Sequence, residues 1–328
     1  MTILVCGGAG YIGSHTVAEL LDKGHEVIVA DNLETGHKAA VWPGAQLITG
    51  DLRDETFANR LFSARNIDAV IDFAAYSLVG ESMNEPLKYY KNNVGGVINL
   101  LEAMKNNQVR YIVFSSTAAV YGEPDEIPIL ETAPTNPTNP YGETKLAVEK
   151  ALKWAESAFG LRYAALRYFN VAGAHISGEI GEDHRPETHL IPNALKTQLH
   201  GGALKLFGDD YPTPDGTCVR DYIHVTDLAD AHILALEKIR SSDKSDVYNL
   251  GNGSGFSNKQ IIRRVEKVTG KPLRCDVAPR RPGDPASLVA SSDKIIKELG
   301  WKPKYASLET IIETAWAWIS SHPNGFPE

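Results

Sequence analysis

Over the first 170 residues, apolar side chains come in short, nearly continuous runs, and the stretches between the runs carry them every third or fourth position. The runs are residues 2–6 (TILVC), 26–31 (EVIVAD), 45–51 (AQLITGD), 68–75 (DAVIDFAA), 110–116 (RYIVFSS) and 162–169 (RYAALRYF). Each has strand length and lacks the apolar–polar alternation of a half-exposed sheet. The intervening YIGSHTVAELLDKG (with Gly24 as its C-cap), ETFANRLFSAR, LKYYKNNVGGVINLLEAMKNN and NPYGETKLAVEKALKWAESAFG have helical length and composition. Buried strands joined by helix-length connections predict an α/β fold, a doubly wound parallel sheet with helices on both faces.

The even rhythm stops near residue 171. Beyond it, Gly- and Pro-rich stretches (GEIGEDHRPETH, GDDYPTPDG, APRRPGDPAS) separate short elements, which predicts a smaller, loop-rich α/β lobe over 172–328 built onto a first domain of residues 1–171. The amphipathic HVTDLADAHILALEKI (224–239) and the strand-like DVYNLG (246–251) predict that segments around 224–253 return to the first domain. The C-terminal LETIIETAWAWISSHP reads as an amphipathic helix with Trp316 and Ile319 on its buried side.

Composition narrows the class. With 328 residues, 43% hydrophobic and 23% charged, the chain is an ordinary globular one, and no run of 18 apolar residues offers a membrane span. The N-terminal MTILVCGGAG lacks a basic n-region and a cleavage-like site, so export is not expected. Three widely spaced cysteines, Cys6, Cys218 and Cys275, suggest neither a disulfide framework nor a zinc site, and the cytoplasm is the expected compartment. A formal charge of −8 argues against general nucleic-acid binding. It leaves room for a local arginine cluster around a small anion.

The first chemistry-bearing motif is CGGAGYIG, between the first predicted strand and the first helix. Its glycines fit GxGxxG as Gly8, Gly10 and Gly13, and equally GxxGxxG as Gly7, Gly10 and Gly13. In that context the missing side chains let a pyrophosphate approach backbone N–H groups at the positive helix end, the signature of a Rossmann-like dinucleotide site. Asp31 ends the second strand 18 residues after Gly13, where a carboxylate accepts ribose hydroxyls and repels a 2′-phosphate, so NAD is the expected cofactor. Asp51 and the FAA of 73–75 end the third and fourth strands at the same carboxyl edge.

The second motif is NPYGETK. Asn139 suits a helix N-cap, Pro140 the first helical position, and Tyr141 and Lys145 then share one face. A free phenol, with a pKa of about 10, is a poor base at neutral pH, and a nearby ammonium favours its ionised form. FSSTAAVYG ends the fifth strand at the same edge and offers hydroxyls from Ser115, Ser116 and Thr117 to a substrate oxygen.

A glycine turn after the first strand, an acid ending the second, a Ser/Thr turn after the fifth and YxxxK on the next helix together resemble the extended short-chain dehydrogenase/reductase family. GGAGYIGSH, VGES, YYKNNV, LRYFNVAGAH, GTCVRDYIHVTDLADAH, YNLGNG and APRRPGD are similar, over nearly the whole chain, to that family's sugar-nucleotide 4-epimerases. The resemblance implies reversible C4 inversion of UDP-glucose and UDP-galactose through a 4-keto intermediate with tightly bound NAD, a step of galactose metabolism, in a homodimer. It assigns Tyr141 as base, Lys145 as its activator and Thr117 as the hydroxyl on sugar O4. Gly7, Gly10, Tyr11, Ile12, Gly13, Asp31, Asn32, Asp51, Leu52, Phe73, Ala74, Ala75, Asn92, Ser115, Tyr141, Lys145 and Tyr168 would contact NAD. Thr117, Asn170, Leu190, Phe207, Arg220, Arg281 and Asp284 would hold the UDP-sugar.

Several positions qualify that picture. Where related dehydratases and decarboxylases carry carboxylates, this chain has Ala118 and Ala119. Thr117 stands for a more frequent serine, and Ser77 for a lysine near the cofactor phosphates. Leu288 occupies a wall position whose size governs N-acetylated sugars, so a UDP-GlcNAc/UDP-GalNAc or UDP-pentose 4-epimerase is the alternative; a net NAD-dependent dehydrogenase and a non-catalytic dinucleotide sensor are further ones. His184 and His189 in HRPETH read as solvated loop side chains, and no metal is expected.

Overall fold

The computed structural model describes residues 1–63, 65–281 and 285–327. Its centre is a parallel sheet of seven strands: Thr2–Cys6, Glu26–Asp31, Gln46–Thr49, Ala69–Asp72, Tyr111–Ser115, Arg162–Tyr168 and Asp246–Leu250, here called first to seventh. Across the sheet they run seventh, sixth, fifth, fourth, first, second, third. The first strand pairs with the second on one side and the fourth on the other, Ile3 lying between Val27 and Ala69. The order reverses there, so the carboxyl ends of the first and fourth strands open into the crevice where α/β sheets take their ligands.

The period of two explains why the strands are apolar throughout. Leu4 and Cys6 enter one core with Phe57, Leu61, Leu100 and Leu152, while Ile3 and Val5 enter the opposite core with Val17, Leu20, Leu228 and Leu236. At about 1.5–3 kcal/mol for each large side chain fully buried, both faces contribute to stability. The helix Val225–Ser242 covers one face, and Asp246–Leu250 then enters the sheet beside the sixth strand, with Val247 opposite Ala165.

The helices agree with the expected ones except in detail. The first, Tyr11–Asp22, ends one residue early at Lys23, and Gly24 follows with φ +78°, its N–H on Leu21 O. The long helix expected over 87–107 is interrupted: Pro86–Tyr89 passes into a wide π turn, Tyr90–Gly95, before Gly96–Asn106 resumes. Asn93 in that turn is buried and bonds the Tyr76 N–H and C=O and Thr144 Oγ1, contacts that lie far away in sequence. In Leu308–Ser321 the fully buried tryptophan is Trp318, not Trp316, which is only half-buried. Leu308, Ile311, Ile312, Ala315, Trp318 and Ile319 form the stripe, and Trp316 lies at its edge.

The rest of the chain packs the helices Leu190–His200, Asn258–Thr269 and Leu308–Ser321 around Leu195, Ile261, Val265 and Ile312. Val219–Arg220 is held between Phe256–Ser257, antiparallel, and Ser287–Leu288, parallel. No helix among the described residues is long and apolar enough to cross a membrane.

Candidate active site

The glycine turn lies where the sheet order reverses. Gly7 has φ +72°, and a Cβ there would come within 2.8 Å of Ala74 N, so the turn and the 73–75 segment touch backbone to backbone. A Cβ on Gly13 would run into Gly7 O, whereas one on Gly10 would meet only Gly7 O, at 3.3 Å. Gly8 faces Val29. The severest backbone demands fall on Gly7 and Gly13, Gly8 is closed in by the Val29 side chain at 2.8 Å, and Gly10 is the least crowded of the four. Gly10 caps the helix Tyr11–Asp22 without any side-chain bond, leaving the first-turn N–H groups for an anion. Ile12 packs inward, while the Tyr11 phenol reaches across to donate to Gly173 O at 2.6 Å.

Asp31 is buried at the end of the second strand. One oxygen accepts from Ala9 N at 2.9 Å and the other from Leu33 N at 2.8 Å, and each retains acceptor capacity for a ribose hydroxyl. Burial raises its pKa, while the two N–H bonds oppose the rise. Beside it Asn32 donates to Asp51 at 3.1 Å, and Asp51 takes both the backbone and the guanidinium of Arg53, which holds its pKa down at about 2. Leu52 is fixed by Asn99 bonding its carbonyl and by contact with the Gly96 turn. Ser77 is exposed, and the cations of this corner are instead Arg53 and Lys88, both over the Tyr76 ring.

The Tyr141 helix, Pro140–Phe159, starts as its sequence predicts, with Asn139 Oδ1 accepting from Gly142 N at 2.9 Å and Pro140 in the first turn. It directs Tyr141 to Thr117, whose hydroxyl also accepts from Ala119 N at 3.1 Å. Burial raises the phenol pKa, and the Thr117 bond lowers it. Lys145 is buried one turn on, but its ammonium donates to Ser115 O at 2.8 Å and lies 4.8 Å from the Phe114 ring. The Tyr141 phenol thus meets Thr117, whereas the lysine is anchored to the end of the fifth strand. Burial lowers Lys145 to about 8 against the charges of Asp72 and Glu149. Tyr168 OH bonds Ser115 Oγ at 2.5 Å, and the Phe73 ring lies tilted against His232, 4.7 Å between centroids. Asn92 donates to Asn93 from the π turn.

On the other side of the crevice, Asn170 donates to Asp221 O at 3.1 Å, Leu190 opens its helix, and Phe207 ends the strand Leu204–Phe207. Arg220 is set by its place between two strands. The two neighbouring arginines differ: Arg280 bonds Asp210 and covers Tyr211, whereas the Arg281 guanidinium lies 4.1 Å above Phe207. Leu288 packs against the small cluster of Ala118, Val120, Tyr121, Ile129 and Leu146, which follows Thr117 in the chain. Asp284 lies outside the described residues.

A family model described as the NAD dependent epimerase/dehydratase family matches residues 3–251. The chain belongs to that family. The UDP-glucose 4-epimerase of Lacticaseibacillus casei is 56% identical over 329 residues, 99% of each chain. A crystal structure of a UDP-glucose 4-epimerase, also 56% identical, matches with a TM-score of 0.98 over 100% of both chains. That of the Bifidobacterium longum UDP-glucose 4-epimerase, in complex with NAD+ and UDP, is 42% identical with a TM-score of 0.94, covering 99% of this chain and 100% of the other.

In this member of the epimerase/dehydratase family, a buried network that was not singled out as functional in the sequence sets the Ser115–Thr117 turn from behind. Glu149, on the Tyr141 helix, accepts from Ser116 Oγ at 2.5 Å and from Arg167 Nε at 2.9 Å; Arg167 also donates to Tyr121 OH, which donates to Asn249. All five are buried. The signals available in the sequence were a charge at positions 149 and 167 inside otherwise apolar faces and the place of Ser116, Tyr121, Arg167 and Asn249 within the quoted motifs.

Proposed function

We propose that the chain interconverts UDP-glucose and UDP-galactose by inverting C4 through a 4-keto sugar, with NAD as resident cofactor. The observation that carries this proposal is the meeting of Tyr141 and Thr117 one helical turn from a buried Lys145 that is bonded to Ser115, at the sheet edge that also holds the uncapped glycine turn. Residues 1–171, with 224–253, serve as the NAD domain, and 172–328 as the UDP-sugar lobe.

The crevice fits a dinucleotide: Gly7 admits no side chain against Ala74, and the helix start is free of caps. Gly7, Gly10, Tyr11, Ile12 and Gly13 would receive the pyrophosphate and Asp31 the ribose hydroxyls. Asn32, Asp51 and Leu52 would meet the adenine, Phe73–Ala75 and Asn92 the groove between, and Ser115 and Tyr168 the nicotinamide. NAD, when bound, supplies the oxidant that takes up the C4 hydrogen and gives it back, and its cationic ring favours an ionised phenol. Tyr141 takes the O4 proton and later returns it, with Thr117 bonded to the same oxygen. Lys145 keeps a positive charge below the phenol. Arg220 and Arg281 anchor the diphosphate, while Asn170, Leu190 and Phe207, with Asp284, flank the nucleotide-sugar, so the keto ring can turn while its nucleotide stays fixed. Ala118 and Ala119 supply no carboxylate for elimination of water.

Leu288 beside Ala118 and Val120 makes a wall smaller than tyrosine, which favours, as a second reading, acceptance of N-acetylated UDP-hexoses. A coupled assay on UDP-galactose and UDP-GalNAc separates the two. Turnover of UDP-galactose without net NADH is expected; absence of turnover with intact NAD binding overturns the proposal in favour of a dinucleotide sensor, and net NADH in favour of a dehydrogenase.

The active form is a homodimer. Leu87, 72% exposed, and Trp154, 75% exposed, with Met83 and Tyr90, leave apolar surface on the helices 79–90 and Pro140–Phe159, which a second copy would cover. Light scattering at assay concentration tests this. Free Cys6 and Cys218, both buried, suit a reducing cytoplasm.

A further inference from the structure

We propose that Glu182, His184, Glu187 and His189 form a binding site for one divalent transition-metal ion of the zinc class, outside the C4-inversion machinery. One ligand atom from each lies within 4.8 Å of all the others. His184 Nδ1 and His189 Nδ1 are 3.0 and 2.6 Å from Glu182 Oε1; His189 Nδ1 is 3.5 Å from Glu187 Oε1 and His184 Nδ1 is 3.9 Å from Glu187 Oε2. Ligand atoms at zinc bond lengths lie roughly 3.3–3.5 Å apart in a tetrahedron, and the observed separations bracket that spacing. Two imidazoles and two carboxylates suit zinc and its neighbours; the histidines disfavour magnesium and calcium, and the lack of thiolate disfavours Cu(I).

Burial makes the cluster more than a surface coincidence. The side chains of Glu182 and Glu187 are 5% and 6% exposed, so two carboxylates are brought together with little access to water. Among the described residues, Glu187 Oε2 has no hydrogen-bond partner; the basic groups beside it are the His184 imidazole at 3.9 Å and the Lys196 ammonium at 4.0 Å. A buried anionic oxygen without a donor is costly, and a cation on that side removes the cost. The competing arrangement holds protons in place of the ion: burial lowers the His189 imidazole, but Glu182 and Glu187 together carry it up to about 10.

The ion's consequence is mechanical. Glu182–His189 is the loop leading into the helix Leu190–His200, whose N-cap is His189. His184 lies edge-on to Tyr11, 6.1 Å between ring centroids, and Tyr11 is itself bonded to Gly173. One ion would tie both ends of this loop together beside the glycine turn.

The test uses the full-length, NAD-bearing protein, dialysed against a chelator and titrated with Zn²⁺ by calorimetry and with Co²⁺ by visible absorption. We expect one ion per chain and the intense bands of four-coordinate cobalt. Because loss of an outer-shell partner alone costs about 10–100-fold in affinity, Glu187→Gln and His184→Ala should each lose at least that much. Absence of stoichiometric binding, weak six-coordinate bands, or wild-type affinity in both variants overturns the site and leaves the proton-held network. Should one variant not fold, the other and the wild-type cobalt spectrum decide.

Discussion

Tyr141 and Lys145 are both displaced by burial, and in opposite senses of charge. The phenol is raised, with Thr117 as the bond that lowers it; the ammonium is lowered to about 8, with Asp72 as the leading charge that raises it. Asp72 is itself raised to about 6 by burial, and its Oδ2 has no hydrogen-bond partner among the described residues. Below about 8 Lys145 is charged, and in the proposed mechanism that charge favours an ionised phenol; above it the charge is lost. Asp72→Asn removes the charge that holds the lysine up, so the alkaline limb of the kcat/KM profile should move to lower pH. An unmoved limb would separate Lys145 from the step. Thr117 gives a second handle on the same phenol. Thr117→Val keeps the shape and loses the hydroxyl, so kcat should fall about 10²–10³-fold, whereas Thr117→Ser should stay within a few-fold of the parent. Equal activity of the two variants would remove the hydroxyl from the mechanism.

The turn between the first strand and the first helix shows what an element requires beyond its motif. Both glycine registers fit the sequence equally, because spacing alone does not tell which Cβ would collide; the structure places the backbone collisions at Gly7 and Gly13, a side-chain one at Gly8, and leaves Gly10 only a 3.3 Å contact with Gly7 O. Gly13→Ala should therefore lower the melting temperature, while Gly10→Ala should keep stability within about 1 kcal/mol of the parent, yet purify with less NAD. Equal melting temperatures for the two would contradict the packing. The strands were legible because continuous apolar runs have one physical cause, burial on both faces, and the Asn139–Pro140 helix start was legible because its bonds are local. Non-local bonds were not legible. Asn93 widens the helix over 90–95 to reach Tyr76 and Thr144, and Arg167 reaches Glu149 and Tyr121, partners set only once the sheet has formed. The core around Leu195 and Ile312 likewise chose Trp318 over Trp316 by a rotation too small for a short apolar pattern to resolve.

At the scale of the whole molecule the crevice has one wall in the sheet and one in the later lobe, and the chain joins them twice. Asp246–Leu250 belongs to the sheet, and Asn249 in that strand accepts from Tyr121 behind the Ser/Thr turn; its neighbour Gly251 is bonded by Ser292, and Asn252 by Asp221. Asp221, buried and raised to about 6, also takes Ala290 N, while its own carbonyl fixes Asn170. Ligand contacts on the two walls are therefore separable in chemistry although the walls are bonded together. A ligand that binds only the folded state at a hundred times its Kd adds about 2.7 kcal/mol. UDP at such a concentration should raise the melting temperature of the NAD-bearing protein, and Arg220→Gln, on the strand of the later lobe, should abolish most of that rise at the same UDP concentration. The same variant should retain its NAD content, because the glycine turn and Asp31 lie on the opposite wall. Loss of NAD together with the UDP response would show that Arg220 supports the whole crevice instead of one ligand. An undiminished UDP response would move the diphosphate anchor to Arg281, whose guanidinium over Phe207 is the next cation along that wall.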